Sequence, residues 1–216
     1  ALESQATMLS VKNRKIASIT YRGKKVKTIK NPENVISTIY VPDLLNIITP
    51  KPPRAVIHAA NKLRFRGLAL VFIFLDQEHA LDDHWVFFPE KKYIFNRVSE
   101  IKRFGAGVAP KDKTYIIAEV TLDLDDQLFN DDAALTKRVL VDLEKTGLIN
   151  SAKITETLVK KARRIYPIYD LSYRENLITV LKYLDKIDNL YTIGRPGLFN
   201  YNNTDHCIDT GMKLAD

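Results

Sequence analysis

One cysteine, eight glycines and nine prolines among 216 residues set the first limits. The lone Cys207 excludes an intrachain disulfide and a thiolate zinc cluster, and fits a reducing, intracellular setting. So little glycine and proline excludes collagen-like and low-complexity chains. Long apolar runs are also missing. The longest, Gly67–Leu75, falls well short of the roughly 20 residues that a helix needs to cross a bilayer. No charged segment followed by a long apolar stretch opens the chain, which argues against a signal peptide. The first residues are Ala1-Leu2-Glu3 rather than Met. The expectation is a soluble, cytoplasmic protein whose numbering begins inside a longer chain.

What is present is ordinary globular composition: 45% hydrophobic and 27% charged residues, enough for a sizeable core without disulfides. The charge is uneven. The net charge is +7, with 33 Lys and Arg against 26 Asp and Glu. Residues 1–30 carry eight basic residues (Lys12, Arg14, Lys15, Arg22, Lys24, Lys25, Lys27, Lys30) and one acid, Glu3, while 31–216 balance 25 with 25. A basic arm of this kind binds nucleic acid or anionic lipid. It also fits an edge hairpin whose lysines block aggregation, and that is the favoured reading. No nucleic-acid motif accompanies it.

Period-two stretches at Lys15–Tyr21 and Lys24–Lys30 around Arg22-Gly23 predict a hairpin. Val35–Ile39 reads as a buried β-branched strand. Pro42-Asp43 opens a short helix, and Arg54–Leu63 has helical spacing. Leu68–Leu75 reads as a strand buried on both faces. Trp85–Phe88, Tyr93–Val98 and Thr114–Leu122 are further strands. Asn130-Asp131-Asp132 caps a helix that runs to Lys145 and ends at Gly147. After it come a strand at Leu158–Tyr166, a helix at Ser172–Ile187, a strand at Leu190–Ile193 and a last helix at Asp205–Asp216. Strand runs broken by a few helices predict an α+β fold with a mixed or antiparallel sheet and flanking helices.

Gly105-Ala106-Gly107 lacks the third glycine and the strand–helix context of a phosphate loop. His79 and His84 among Asp76, Glu78, Asp82 and Asp83 have no metal-ligand spacing and read as a solvated acidic loop. Asp123, Asp125 and Asp126 lack the glycine and closing Glu of a calcium loop. Two segments stand out. Gly194-Arg195-Pro196-Gly197-Leu198-Phe199-Asn200-Tyr201-Asn202-Asn203-Thr204-Asp205-His206 lies between a strand and a helix. Its glycines allow close backbone approach to a ligand, Arg195 has the fork that grips phosphate, and Asn203 and Asp205 suit a helix N-terminus. In the second segment, Arg97 sits among apolar residues of a strand. An inward arginine needs an anion, either Glu100 or a ligand phosphate.

The first segment resembles the flavin-contacting end of the FAD-dependent amine oxidase, protoporphyrinogen oxidase and UDP-galactopyranose mutase superfamily. His84-Trp85-Val86-Phe87-Phe88-Pro89-Glu90, Phe95-Asn96-Arg97, Arg163-Arg164-Ile165-Tyr166-Pro167 and Val35–Ile39 are similar to further stretches of that superfamily, in the same order. The resemblance covers most of residues 15–216. It implies that Gly194, Arg195, Asn203, Asp205 and His206 meet the flavin, and that Arg97, Arg164, Arg195 and Tyr201 face substrate. It implies no particular catalytic residue. The family's N-terminal Gly-x-Gly-x-x-Gly unit, which holds the FAD pyrophosphate, has no counterpart here. The chain is therefore expected to be the C-terminal part of a longer flavoprotein, inactive and poor at holding FAD by itself.

On this reading residues 1–50 and 167–216 belong to the FAD-binding domain and 51–166 to the substrate-binding domain. The activity implied first is UDP-galactopyranose mutase-like isomerase chemistry on a nucleotide sugar, as in lipopolysaccharide (LPS) and other cell-surface polysaccharide biosynthesis. The alternatives are an oxidoreductase of the amine oxidase or protoporphyrinogen oxidase type, and a non-catalytic basic binding module. A small-molecule substrate is expected, with no metal, no membrane span and no nucleic-acid partner.

Overall fold

The computed structural model describes residues 3–215. Ala1, Leu2 and Asp216, where the last helix is expected to end, lie outside the described residues. The fold is α+β, with antiparallel and mixed sheets and flanking helices, in two compact units: residues 3–64 with 167–215, and residues 65–166.

The first unit opens with strands β1 (Gln5–Lys12), β2 (Lys15–Arg22) and β3 (Val26–Lys30), followed by β4 (Val35–Ser37), helix α1 (Val41–Ile47), β5 (Ile48–Thr49) and helix α2 (Arg54–Asn61). The sheet order is β3-β2-β1-β5, with β5 parallel to β1. The β2–β3 hairpin follows the period-two pattern. Strand β1 was not legible beside it, because the β1–β2 turn is Asn13-Arg14, both at positive φ (48° and 62°), without the glycine that marks such turns. Leu9 and Ile16 turn inward with Val41, Leu44, Leu45 and Ile48 into this unit's core.

The second unit contains β6 (Phe65–Leu75), β7 (Trp85–Phe87), β8 (Arg97–Glu100), β9 (Thr114–Leu122), the short helix α3 (Gln127–Asn130), α4 (Asp132–Thr146) and β10 (Ile154–Pro167). Its five strands run in the order β10-β6-β9-β8-β7. Helix α4 begins where Asp131 accepts the Ala134 N–H at 2.9 Å and stops at left-handed Gly147, φ 71°, as the caps predict. Leu135, Val139 and Leu143 on α4 pack against Ala69, Val71, Ile73, Ile116, Ala118 and Val120. Strand β6 is thus not buried on both faces: buried residues alternate with half-buried ones, because α4 covers one side only.

The expected strand at Tyr93–Val98 starts later, at Arg97. The Ile94 N–H is held instead by the buried Asp142 carboxylate of α4 at 3.0 Å, while Asn96 still bonds to Glu119 and Phe88 through its backbone at 3.0 and 2.9 Å. Gly67 lies under Phe129, and a Cβ there would come within 2.5 Å of the Phe129 ring. Gly67→Ala is expected to cost about 1–3 kcal/mol by overpacking, measured as the fall in denaturation midpoint at unchanged slope.

Two buried charges organise the loops beside this sheet. The Glu100 carboxylate accepts from the Thr114 hydroxyl at 2.6 Å and from the Leu81 and Ala80 N–H groups at 2.8 and 3.1 Å. His79 lies 3.0 Å from it and Arg103 3.6 Å. Next along the chain, the Lys102 ammonium faces four backbone carbonyls, those of Glu78, Pro110, Lys111 and Lys113, at 3.0, 2.9, 2.6 and 2.9 Å.

The chain re-enters the first unit at Pro167. Helix α5 (Tyr173–Leu184) buries Val180 and Leu184, and β11 (Leu190–Thr192), the short helix α6 (Gly194–Gly197) and α7 (Thr204–Ala215) complete it. Strand β11 pairs in parallel with β4 as a two-stranded sheet. The expected burial of Val35–Ile39 does not hold. Ile36 and Ile39 are 57% and 44% exposed, since β4 has β11 as its only sheet neighbour among the described residues. Helix α7 buries none of its residues, and its Ile208 and Met212 are exposed.

Candidate functional site

The Gly194–His206 segment is held in place by a buried amide. The Asn189 side chain accepts the Ile16 N–H at 2.7 Å and donates to the Ile16 and Pro32 carbonyls, tying the start of β11 to the β2–β3 hairpin. The Ile193 N–H extends the pairing by donating to Ser37 at 3.0 Å. Gly194, at φ 77°, then turns the chain in a conformation that favours glycine. Gly197 is needed for a different reason: a Cβ there would sit 3.1 Å from the Ser37 carbonyl. Phe199 is buried and packs on Tyr169 and Tyr173, with ring centroids 6.1 and 6.3 Å away.

Beyond Phe199 the polar residues fold back on one another. Arg195 donates through Nε and one terminal nitrogen to the Asn202 carbonyl at 2.9 and 2.6 Å, and its guanidinium lies 4.6 Å from the Tyr201 ring centre. The edge expected to grip a phosphate therefore already holds this loop closed. The Tyr169 hydroxyl accepts the Tyr201 N–H at 2.8 Å and donates to Asn200 Oδ1 at 3.2 Å. At the start of α7 the Asn203 N–H donates to His206 Nδ1 at 3.3 Å, an N-terminal cap made by a side chain three residues on. Asp205 lies 3.4 Å from the same nitrogen. The structure thus gathers Gly194, Arg195, Tyr201, Asn203, Asp205 and His206 around one loop that ends at a helix N-terminus, where backbone N–H groups favour negative charge.

Arg97 and Arg164 belong to the other unit. The register sets Arg97 directly opposite Glu119, and they pair at 2.6 Å. The expected partner Glu100 is excluded by parity: three residues along a strand, it points to the opposite face. The Arg97 guanidinium also lies 5.7 and 6.0 Å from the Phe87 and Trp85 ring centres. Trp85 stacks on Phe104 at 5.6 Å, and all three aromatics are exposed. The face of the sheet opposite α4 therefore carries Leu70, Glu119, Arg97 and Phe87 in one cross-strand row, with Phe72, Ile117, Ser99 and Trp85 in the next. Arg164 lies on β10 at the far side of the order, with β6 and β9 between it and Arg97's strand. That separates the two by roughly 14 Å across the strands, so the structure does not bring them together.

Sequence reasoning missed Glu119 and Tyr169. An acid in the middle of the apolar strand Thr114–Leu122 was the signal for Glu119. Nothing local marks Tyr169, whose partners lie some thirty residues on. Among the described residues no group of three His, Cys, Asp or Glu side chains is placed to hold a metal ion, and no helix is long and apolar enough to cross a membrane.

No family model and no curated protein matches the chain. Solved structures share its fold. A reduced UDP-galactopyranose mutase matches 97% of this chain with a TM-score of 0.80 at 17% identity. A protein described as a protoporphyrinogen oxidase from Exiguobacterium sp. 255-15 matches 99% with a TM-score of 0.71 at 17% identity. An oxidoreductase from Methanosarcina mazei matches 97% with a TM-score of 0.66 at 14% identity. The chain spans 46%, 47% and 49% of the lengths of those three chains. At these identities the likeness is one of fold, and the fold is shared with a mutase and with redox enzymes.

Proposed function

We propose that this chain forms part of an FAD-dependent enzyme that acts on a nucleotide sugar in the manner of a UDP-galactopyranose mutase, in the cytoplasm and in cell-surface polysaccharide synthesis. The observation that carries the reading is the Gly194–His206 loop: a left-handed glycine, an arginine and a helix N-terminus, on a fold shared along nearly its whole length with such a mutase. The fit to FAD is partial. No atom outside its chain neighbours lies within 4 Å of the Cβ position of Gly194, which leaves room for a flat ring against the backbone. For the pyrophosphate the sequence has no Gly-x-Gly-x-x-Gly loop between strand and helix.

FAD, when bound, supplies the nucleophilic or redox centre. The chain's own residues bind and orient. Gly194, Arg195, Asn203, Asp205 and His206 face the flavin, with the α7 N-terminus stabilising negative charge on it. Arg97, Arg195 and Tyr201 face substrate, and Arg164, three strands from Arg97, does not join them. The compact unit of residues 3–64 and 167–215 binds the flavin and that of residues 65–166 the substrate.

A second reading, an oxidoreductase of the amine oxidase or protoporphyrinogen oxidase type, is favoured by one observation. Glu119 already neutralises Arg97 on a face that is otherwise mostly apolar and aromatic, which suits a substrate without a diphosphate. Titrating the full-length protein with UDP-galactose separates the two. The mutase reading expects saturable binding that Arg195→Ala weakens about 10–100-fold, the loss of a charge-assisted contact. Absence of nucleotide-sugar binding in a protein that carries flavin decides for the oxidoreductase.

A further inference from the structure

The net charge of the whole chain resides in its first thirty residues, and the fold gives that charge a shape. At the tip of the β2–β3 hairpin, Ser4, Tyr21, Gly23, Lys24, Lys25 and Lys27 line one cavity of about 230 Å³. No carboxylate is among them. Lysines that only protect a sheet edge need to point into water and apart from one another. Here three border one concavity, beside a phenol and a glycine turn. Such an arrangement is stabilised by an anion lodged between the ammonium groups.

The neighbouring surface narrows the kind of anion. Strand β3 is exposed along its whole length, and Ile29, 49% exposed, shares the strand face of Lys27 and Tyr21. An apolar side chain beside a lysine suits the boundary between lipid headgroups and acyl chains, where lysine stems lie along apolar surface and their ammonium groups reach phosphates. Nucleic-acid readers rely instead on arginine forks and on aromatic rings that stack bases. Among the described residues of this hairpin the aromatic residue is Tyr21, which lies within the lysine cavity.

We propose that the β2–β3 tip is a docking site for an anionic membrane surface, with the cavity taking a lipid headgroup phosphate and Ile29, on the same strand face as Lys27 and Tyr21, entering the interface. Docking of this kind is peripheral and needs no spanning segment. It holds the protein at the bilayer by a patch separate from the Gly194–His206 loop.

The test is co-sedimentation of the 216-residue chain with vesicles of phosphatidylcholine alone or of phosphatidylcholine with phosphatidylserine, at low and at high salt. Binding is expected to the phosphatidylserine vesicles only, and to fall as salt rises. The triple variant Lys24→Ala, Lys25→Ala, Lys27→Ala is expected to lose about a hundredfold in partitioning. A charge-matched control, Lys62→Ala, Lys137→Ala, Lys182→Ala, should lose far less. Melting temperatures of both variants show whether each is folded. No binding to anionic vesicles at low salt overturns the proposal. So does an equal loss in the two variants, or tighter retention by duplex DNA than by the vesicles.

Discussion

Glu100→Ala is expected to lower the unfolding free energy by about 3–5 kcal/mol and the melting temperature by roughly 10 °C. The carboxylate is fully buried, so its removal leaves the Ala80 and Leu81 N–H groups and the Thr114 hydroxyl without their acceptor, and Arg103 and His79 without their anion. Each orphaned buried donor carries its own desolvation cost. Burial by itself raises the pKa of Glu100, but the hydrogen bonds from Thr114, Leu81, Ala80 and His79 outweigh it and hold the group below its ordinary value. A depressed folded value means that the stabilisation is fully present above the unfolded carboxylate value, about 4.3. It is lost as the pH falls through the folded value. Wild type should therefore lose stability on acidification, and Glu100→Ala should show a shallower loss over the same range. Equal pH dependence of the two proteins, in urea midpoints taken from pH 7 down to pH 3, would contradict this.

Lys102→Met should be nearly as damaging, at about 3 kcal/mol or more. An ammonium has three protons, and four carbonyls surround it, so it acts as a tethered cation at the meeting of the 78 and 110–113 backbone segments. Methionine matches the length of the side chain and supplies no donor, leaving those oxygens facing a thioether. Lys102→Arg should rescue little, because a planar guanidinium does not place its protons around one point as an ammonium does. Midpoints for both variants check this, together with amide exchange at residues 110–113. Arginine restoring full stability would show that charge alone matters there, rather than a compact cation among converging carbonyls.

How much was legible in the sequence depended on how local each cause was. The α4 caps at Asp131 and Gly147 were visible because a cap is a three-residue event. The β2–β3 hairpin announced itself by alternation around a glycine. The Gly194–His206 loop could be picked out by composition, yet the use of Arg195 to close it on Asn202 could not, since that bond depends on the turn at Phe199, a non-glycine residue at φ 48°. Likewise Arg97 clearly needed an anion, but choosing Glu119 over Glu100 required the β8–β9 register. The exposure of Ile36 and Ile39 contradicted a reading based on β-branched content, because burial depends on what lies across the sheet.

The β4–β11 ribbon and α7 bear on the central claim. A parallel pair of three-residue strands and a twelve-residue helix with no buried side chain expose Ile36, Ile39, Ile208 and Met212. They lie on the elements that flank the Gly194–His206 loop. The measurement that tests this account most directly is the visible absorption spectrum of the purified full-length protein, taken before and after chemical reduction. The account predicts a flavin spectrum that bleaches on reduction and that is lost or weakened when Gly194 is replaced by valine. A colourless protein that takes up no FAD when supplied with it would contradict the account.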